Sequence, residues 1–320
     1  MNKTSLGIFL IFLGTLLWAL DTLIRYPLLN QISSFQIVFL EHFYLTFYFF
    51  GFVLFQNFAQ KINRAAILKQ LNQKDLLSFF VIGAIGSGLS TLAFTKAFQL
   101  INPTVVILLQ KLQPFLVIFF SVVLLKEKLE KKFFLWALIA FFGALLLAFD
   151  DLKQIQFQYF LKSENLILGY ALTLFAVLGW SLSTIFGKRL SNRGYSESII
   201  MSGRFSFGFL ILVFILLGLM LVGDWSNYFS FSLFGQRIIQ YKIIGMVVLS
   251  GLAGMYFYYS GLKKISAHVG SIAELFFPFS VIIINWVFLD QKLSMGQIIG
   301  AILMILASVG LAKKWTFASK

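Results

Sequence analysis

The 320-residue chain contains no cysteine. That removes disulfides, thiolate nucleophiles and Cys-based metal sites, and it leaves the compartment open. Charge is scarce: 12% of residues are Asp, Glu, Lys or Arg, against roughly a quarter in an ordinary soluble domain. Proline occurs four times and histidine twice, at His42 and His268. An intramembrane enzyme would need a nucleophile–base pair or a metal cluster. Neither H-E-x-x-H nor G-x-S-x-G is present, so no catalytic residue, no metal and no cofactor is expected. Gly83-x-x-Gly86-x-Gly88 is no dinucleotide fingerprint either, because no strand precedes it.

What the chain does contain is apolar length. Hydrophobic residues make up 59%, and the mean hydropathy is +0.89. A bilayer-spanning helix needs about 20 apolar residues. Such windows recur near 6–24, 34–56, 76–97, 103–125, 133–149, 166–187, 197–222, 241–262, 268–289 and 296–313. They predict an all-α membrane protein with ten transmembrane helices. The first window is longer than the apolar region of a signal peptide and is not followed by a small-residue cleavage site, so it is read as a retained span.

The net charge of +14 resembles a nucleic-acid signature, but its distribution points to topology. With the N-terminus inside, cytoplasmic segments hold 17 of the 26 Lys and Arg and outer segments hold seven, Arg25 among them. Lys111 and Arg204 fall inside spans. This is the positive-inside bias, and it places both termini in the cytoplasm. The expected partners are a lipid bilayer and a small-molecule substrate, with no nucleic acid.

The chain is duplicated. At an offset of 162, seven of nineteen residues between 6–24 and 168–186 are identical, including Gly7 with Gly169 and Trp18 with Trp180. Further on the offset is 164, which pairs Pro114 with Pro278 and Lys128-Leu129 with Lys292-Leu293. The expected repeats are 6–149 and 168–313, together one transmembrane domain. Five spans per repeat is odd, so the second copy enters the membrane inverted. Inverted repeats are a hallmark of secondary transporters, with the substrate near the midplane between the copies.

Proline in a helix frees the carbonyl four residues earlier. Pro114 and Pro278 should therefore kink the fourth and ninth spans and free the carbonyls of Gln110 and Glu274, which align with each other. Polar residues follow on each span: Gln110, Gln113 and Ser121 on one, Ser271, Glu274 and Asn285 on the other. Polar stripes at membrane depth face protein or water, so these spans are expected to line a common cavity, with Lys111 between Gln110 and Gln113. Glu41, His42 and Arg204 are the other intramembrane ionisable residues. Such groups cost about 2.5–3.5 kcal/mol to insert and are normally paired inside the bundle. Either Glu41 or Glu274 neutralises Lys111 and Arg204, or the two cations hold an anionic ligand while a carboxylate carries a proton. The candidate substrate-binding set is Gln110, Lys111, Gln113, Glu274, Asn285, Trp18, Trp180 and Tyr44. Glu274, Glu41, His42 and Arg204 are candidates for proton coupling or ion pairing. His268 reads as a headgroup contact, and Asp224 to Phe234 as an interfacial element.

The stretches LQKLQPFLVIFFSVVLLKEKL (109–129) and AELFFPFSVIIINWVFLDQKL (273–293), with LGYALTLFAVLGWS (168–181) and GRF (203–205), resemble the drug/metabolite transporter superfamily, in the group with two EamA domains. Leu125, Glu127 and Leu129 match its L-x-E-x-L motif, and Arg204 its second- and seventh-helix arginine. Gln291 and His42 depart from those patterns. The resemblance implies ten helices, a central cavity and alternating access. It also implies export or exchange of small metabolites such as amino acids, or of toxic compounds and drugs, with protons as a coupling ion or none, in a bacterial inner membrane, as a monomer or homodimer. Members include exporters of amino acids and carriers of sugar phosphates and nucleotide sugars. Lys111 directs the expectation toward a substrate bearing a carboxylate or a phosphate. A sugar-phosphate or nucleotide-type carrier would need more basic groups near the cavity, and a non-transporting scaffold would tolerate apolar replacement of Gln110, Lys111 and Glu274.

Overall fold

A computed structural model describes residues 2–58, 71–101, 103–153, 164–289 and 294–314. Among them, helical rods follow one another with no strand. They are α1 (Lys3–Leu29), α2 (Ser34–Phe58), α3 (Gln73–Leu100), α4 in two pieces (α4a, Pro103–Gln110; α4b, Gln113–Leu125), α5 (Lys131–Lys153), α6 (Glu164–Asn192), α7 (Glu197–Val222), α8 (Arg237–Leu262), α9 in two pieces (α9a, Ala267–Ala273; α9b, Phe276–Leu289) and α10 (Met295–Lys314). Rods α1, α2, α3, α6, α7 and α8 each contain a stretch long and apolar enough to cross a membrane. Large apolar side chains such as Phe50, Phe119, Phe134, Phe214 and Leu221 point out of the bundle and are exposed. A soluble protein rarely carries so much uncovered apolar surface; on a membrane protein it is the face presented to lipid. The chain is an all-helical membrane protein.

The two short rod pairs arise at the expected prolines. Pro114 sits in the first turn of α4b, where a missing N–H costs nothing because that turn has no partner for it. Lys111 and Leu112 form the turn that separates the halves, and the Leu112 N–H bonds the Leu109 carbonyl at 3.0 Å. Glu274 and Leu275 form the matching turn in α9. The Glu274 carbonyl is not left free there, contrary to the sequence expectation: the Phe277 N–H takes it at 3.0 Å. A tighter three-residue bond replaces the one that proline cannot make.

Two departures from regular α-helix were not visible in the sequence. Residues Val81–Leu89 of α3 and Val247–Gly254 of α8 wind as π-helix. They occupy the third rod of each repeat and are rich in Gly and Ser. Neighbouring helices approach them closely. A Cβ on Gly86 would lie 2.4 Å from Cβ of Ser183 on α6, and one on Gly254 would lie 2.8 Å from Nε1 of Trp18 on α1.

The first helix of each repeat packs on the other repeat. α1 lies against α8 and α9b, and α6 against α3 and α4b. α2 pairs with α7, and α5 with α10. Small residues make the first of these contacts close, since a Cβ on Gly7 would meet the Gly261 carbonyl oxygen at 3.1 Å. The Asp224 to Phe234 segment folds over the start of α2, where Gln36 Nε2 donates to the Ser230 carbonyl at 2.7 Å and Phe229 packs on Phe39.

Candidate functional site

The crossed packing leaves a cavity of about 200 Å³ between the repeats, walled by residues of α1, α2, α3, α4, α6, α7, α8 and α9. From the sequence-derived candidates, Gln110, Lys111, Gln113, Glu274, Trp18, Trp180, Glu41, His42, Arg204 and Pro114 lie in its wall. Tyr44 does not. Its hydroxyl instead donates to Gln240 Oε1 at 2.5 Å, because its place on α2 faces α8 beyond the cavity. The side chains of Asn285 and Pro278, and Gln291 altogether, lie outside the described residues. Ser121 is buried and bonds the Ile118 carbonyl in its own helix, and Ser271 does the same to His268.

The two helix breaks face each other. Gln113 Nε2 donates to Glu274 Oε2 at 2.7 Å, and the Tyr258 hydroxyl donates to Glu274 Oε1 at 2.9 Å. Glu274 therefore has neutral hydrogen-bond partners, and among the described residues it forms no ion pair with Lys111 or Arg204. Lys111 is buried, 3% exposed. Among the described residues its ammonium has no hydrogen-bond or ion-pair partner; it lies 5.5 Å from the centroid of the Phe277 ring. Gln110 Oε1 beside it is also buried without a partner. Buried donors and acceptors are satisfied in the great majority of cases, so this pair stands out.

Arg204 is buried with neutral partners. It donates to Ser183 Oγ at 2.6 Å, the Tyr259 hydroxyl at 3.2 Å and the Gly86 carbonyl at 3.4 Å, while its Nε has no hydrogen-bond partner among the described residues. His42 is held by the Val38 carbonyl at Nδ1 (2.8 Å) and by Ser87 Oγ at Nε2 (2.9 Å). Its Nδ1 carries the proton, since a carbonyl only accepts.

Glu41 is paired, but with a residue assigned above to an outer loop. α1 continues past residue 24 and through Pro27, so Arg25 is a buried helical residue. Its Nη2 meets Glu41 Oε1 at 2.6 Å and its Nη1 meets Glu41 Oε2 at 3.0 Å, while its Nε meets Asp21 Oδ2 at 2.7 Å. Thr95 Oγ1 lies 3.5 Å from Nη1. The sequence signal was there: Asp21 and Arg25 are four apart, on one helix face. Hydropathy alone hid it, because a charged pair ends an apolar window. The repeat offsets place Ser183 where Asp21 stands, Arg204 where His42 stands and Tyr259 where Thr95 stands. Each half thus places one buried arginine at the cavity among residues of matching repeat position, lent by α1 in the first and by α7 in the second.

Aromatic surfaces complete the wall. Trp18 packs on Tyr258 at 5.3 Å and donates to the Ser250 carbonyl, and Trp180 packs on Phe94 at 4.6 Å. Phe98 and Phe277 also face the space.

A second contact joins the segment that follows α4b to the start of α9a. The Glu127 carboxylate accepts from the Ala267 and His268 backbone N–H groups and from His268 Nδ1, the last at 2.6 Å. His268 is buried, 3% exposed, so it is no headgroup contact. Burial acts to raise the Glu127 carboxyl, but the His268 side chain and the two amides outweigh it and hold it below the usual carboxylate range. Acids favour a helix N-terminus for this reason. Lys188 on α6 is buried and donates to the Leu262 carbonyl at 2.8 Å.

The sequence of the EamA-like transporter family matches residues 5–149 and 167–312. The chain belongs to that family. It shares 31% identity over 320 residues with the riboflavin transporter ImpX of Fusobacterium nucleatum subsp. nucleatum, covering 98% of this chain and 99% of that one. A solved crystal structure with 17% identity superposes with a TM-score of 0.68 over 99% of both chains, a likeness of fold. Family and relative both identify a membrane transporter of small molecules built from two EamA repeats.

Proposed function

We propose that the chain carries riboflavin, or a flavin close to it, through this cavity by alternating access. In this reading the ten rods span the membrane as two inverted repeats, 6–149 and 168–313, with both termini cytoplasmic in a bacterial inner membrane. The observation that carries the reading is the composition of the wall. Aromatic faces (Trp18, Trp180, Phe94, Phe98, Phe277) surround an ammonium and an amide oxygen that have no hydrogen-bond partner among the described residues. Riboflavin matches both features. Its fused ring is planar and aromatic, suited to stacking. Its pyrimidine edge offers carbonyl oxygens to Lys111 and an N–H to Gln110 Oε1, and its ribityl hydroxyls suit Ser87, Thr91 and Ser250. The full-length relative named for riboflavin supports the same choice.

A second reading is a transporter of amino acids or other carboxylate-bearing metabolites. It is favoured by Lys111 and Arg204, which meet no carboxylate among the described residues. A phosphate-rich substrate fits less well, because the third cation of the wall, Arg25, already holds two carboxylates.

The test is direct. Flavin fluorescence is quenched on stacking against tryptophan, so purified protein is titrated into riboflavin in detergent, then challenged with unlabelled amino acids and with flavin mononucleotide. Saturable quenching that amino acids leave intact supports the flavin reading. Absence of quenching, with thermal stabilisation by an amino acid, transfers the assignment to the second.

A further inference from the structure

The buried charges of the wall are unevenly balanced. In the first repeat one guanidinium, Arg25, serves two carboxylates, Asp21 and Glu41. All three groups are buried and all three line the cavity. Glu41 uses both oxygens on Arg25, whereas Asp21 uses Oδ2 alone. Asp21 Oδ1 is buried with no partner among the described residues. An acceptor in that position lacks one donor, and the triad as drawn carries one negative charge more than it can balance. A buried unpaired charge or acceptor is costly.

One proton on Asp21 Oδ1 would neutralise the excess charge and turn the orphan acceptor into a hydroxyl free to donate to water or substrate in the cavity that Asp21 lines. A metal cation fits poorly, because the guanidinium occupies the centre of the cluster and a hard cation needs several oxygens around it. Tyr26 on α1 and His42 on α2 interact electrostatically with Arg25, and Lys111 on α4, Arg204 on α7, Tyr258 on α8 and Glu274 on α9 share the cavity wall with the triad. Of the three acids in the cavity wall, Glu41 has both oxygens on Arg25 and Glu274 has donors on both of its own, so the vacancy belongs to Asp21.

We propose that Asp21, held by Arg25 beside Glu41, is the site where this transporter binds and releases its coupling proton. The proton enters from the water on one side of the membrane and leaves to the other as the repeats alternate; nothing else is consumed. Arg25 ties α1 to α2, so a change in the charge it must balance reaches the packing of α1 on α8 and α9. The proposal rests on the transporter reading, with riboflavin as the probe substrate.

Proteoliposomes test it. For one proton per neutral substrate, a pH gradient of one unit sustains about a tenfold concentration ratio of riboflavin across the membrane. Asp21→Asn and Glu41→Gln each remove the excess charge and are expected to bring that ratio to one, whereas Asp21→Glu restores it. A purely structural role would lower transport with and without the gradient alike and leave the ratio unchanged. Accumulation that Asp21→Asn leaves proton-driven, or that follows a sodium gradient instead, overturns the proposal. The infrared band of a protonated carboxyl, followed in the purified protein from mildly acidic to mildly alkaline pH, reads the same group without any substrate. It should vanish in Asp21→Asn and persist in Glu274→Gln; survival in Asp21→Asn overturns the proposal. If riboflavin does not bind at all, the flavin reading falls, and the infrared result still judges Asp21.

Discussion

Replacing Lys111 by methionine separates a binding lysine from a structural one, because the two roles predict opposite signs. Lys111 sits in the turn between α4a and α4b, 3% exposed, with the Phe277 ring 5.5 Å away. No carboxylate pairs with it among the described residues, so the folded protein bears the cost of burying an ammonium without recovering it. That cost is several kcal/mol for an isolated ion and is reduced by water in the cavity. Methionine preserves the length and apolar stem, and it removes the charge. Thermal stability should therefore stay level or rise. Ligand binding should fall, since a hydrogen bond from a charged donor is worth about 1.5–3 kcal/mol, roughly a 10- to 150-fold loss in affinity. Both quantities come from one preparation: riboflavin quenching for Kd and intrinsic fluorescence on heating for Tm. A Kd within twofold of wild type would refute a ligand contact. A Tm lowered by several degrees together with a raised Kd would show that the lysine holds the helix break instead.

Arg25→Leu strands Asp21 and Glu41 as unpaired buried carboxylates; breaking a buried pair costs about 3–5 kcal/mol, so a large drop in Tm is expected, partly recovered in Asp21→Asn/Arg25→Leu/Glu41→Gln. Gly179→Val should abolish folded, monodisperse protein in size-exclusion chromatography, because its Cβ would lie 2.0 Å from Ser90 Oγ where α6 crosses α3. Trp180→Ala should weaken riboflavin quenching several-fold, by about the 0.5–1.5 kcal/mol of a lost aromatic pair plus its buried area, with little change in the pH response. Glu127 gives a pH signature: its carboxyl is held below the ordinary value of 4.5. Its stabilisation is therefore complete above that pH and is lost as pH falls through the lower folded value. The stability difference between wild type and Glu127→Gln should be flat at neutral pH and shrink on acidification below about 4.5; a difference that grows on acidification would contradict the assignment.

Much of this could be read in the chain, for reasons specific to membranes. Lipid forces the backbone into helices, so apolar length located the rods within a few residues of where they lie. Pro114 and Pro278 marked the two broken helices, because proline cannot donate and must sit at a helix start or a kink. The in-register Gly, Trp and Pro residues exposed the duplication. The rarity of charge at membrane depth singled out Glu41, His42, Lys111, Arg204 and Glu274, all of which line the cavity.

Partnership was not legible. Which acid met which base was left open by the spacing, and the answer was Arg25, a residue that hydropathy had placed in water. It enters the bundle because its two carboxylates come with it, a fact that depends on how α1 lies against α2 and α3. Tyr44 shares a face with Glu41 on paper, yet it turns toward Gln240, because a single helix presents different neighbours along its length. The linear sequence, through its apolar runs, prolines and repeat, determined that this is a duplicated bundle of membrane helices. The crossing of α1 and α6 into opposite repeats decided which polar groups meet, since in a medium that solvates no charge each one is defined by the side chain brought within about 3 Å of it.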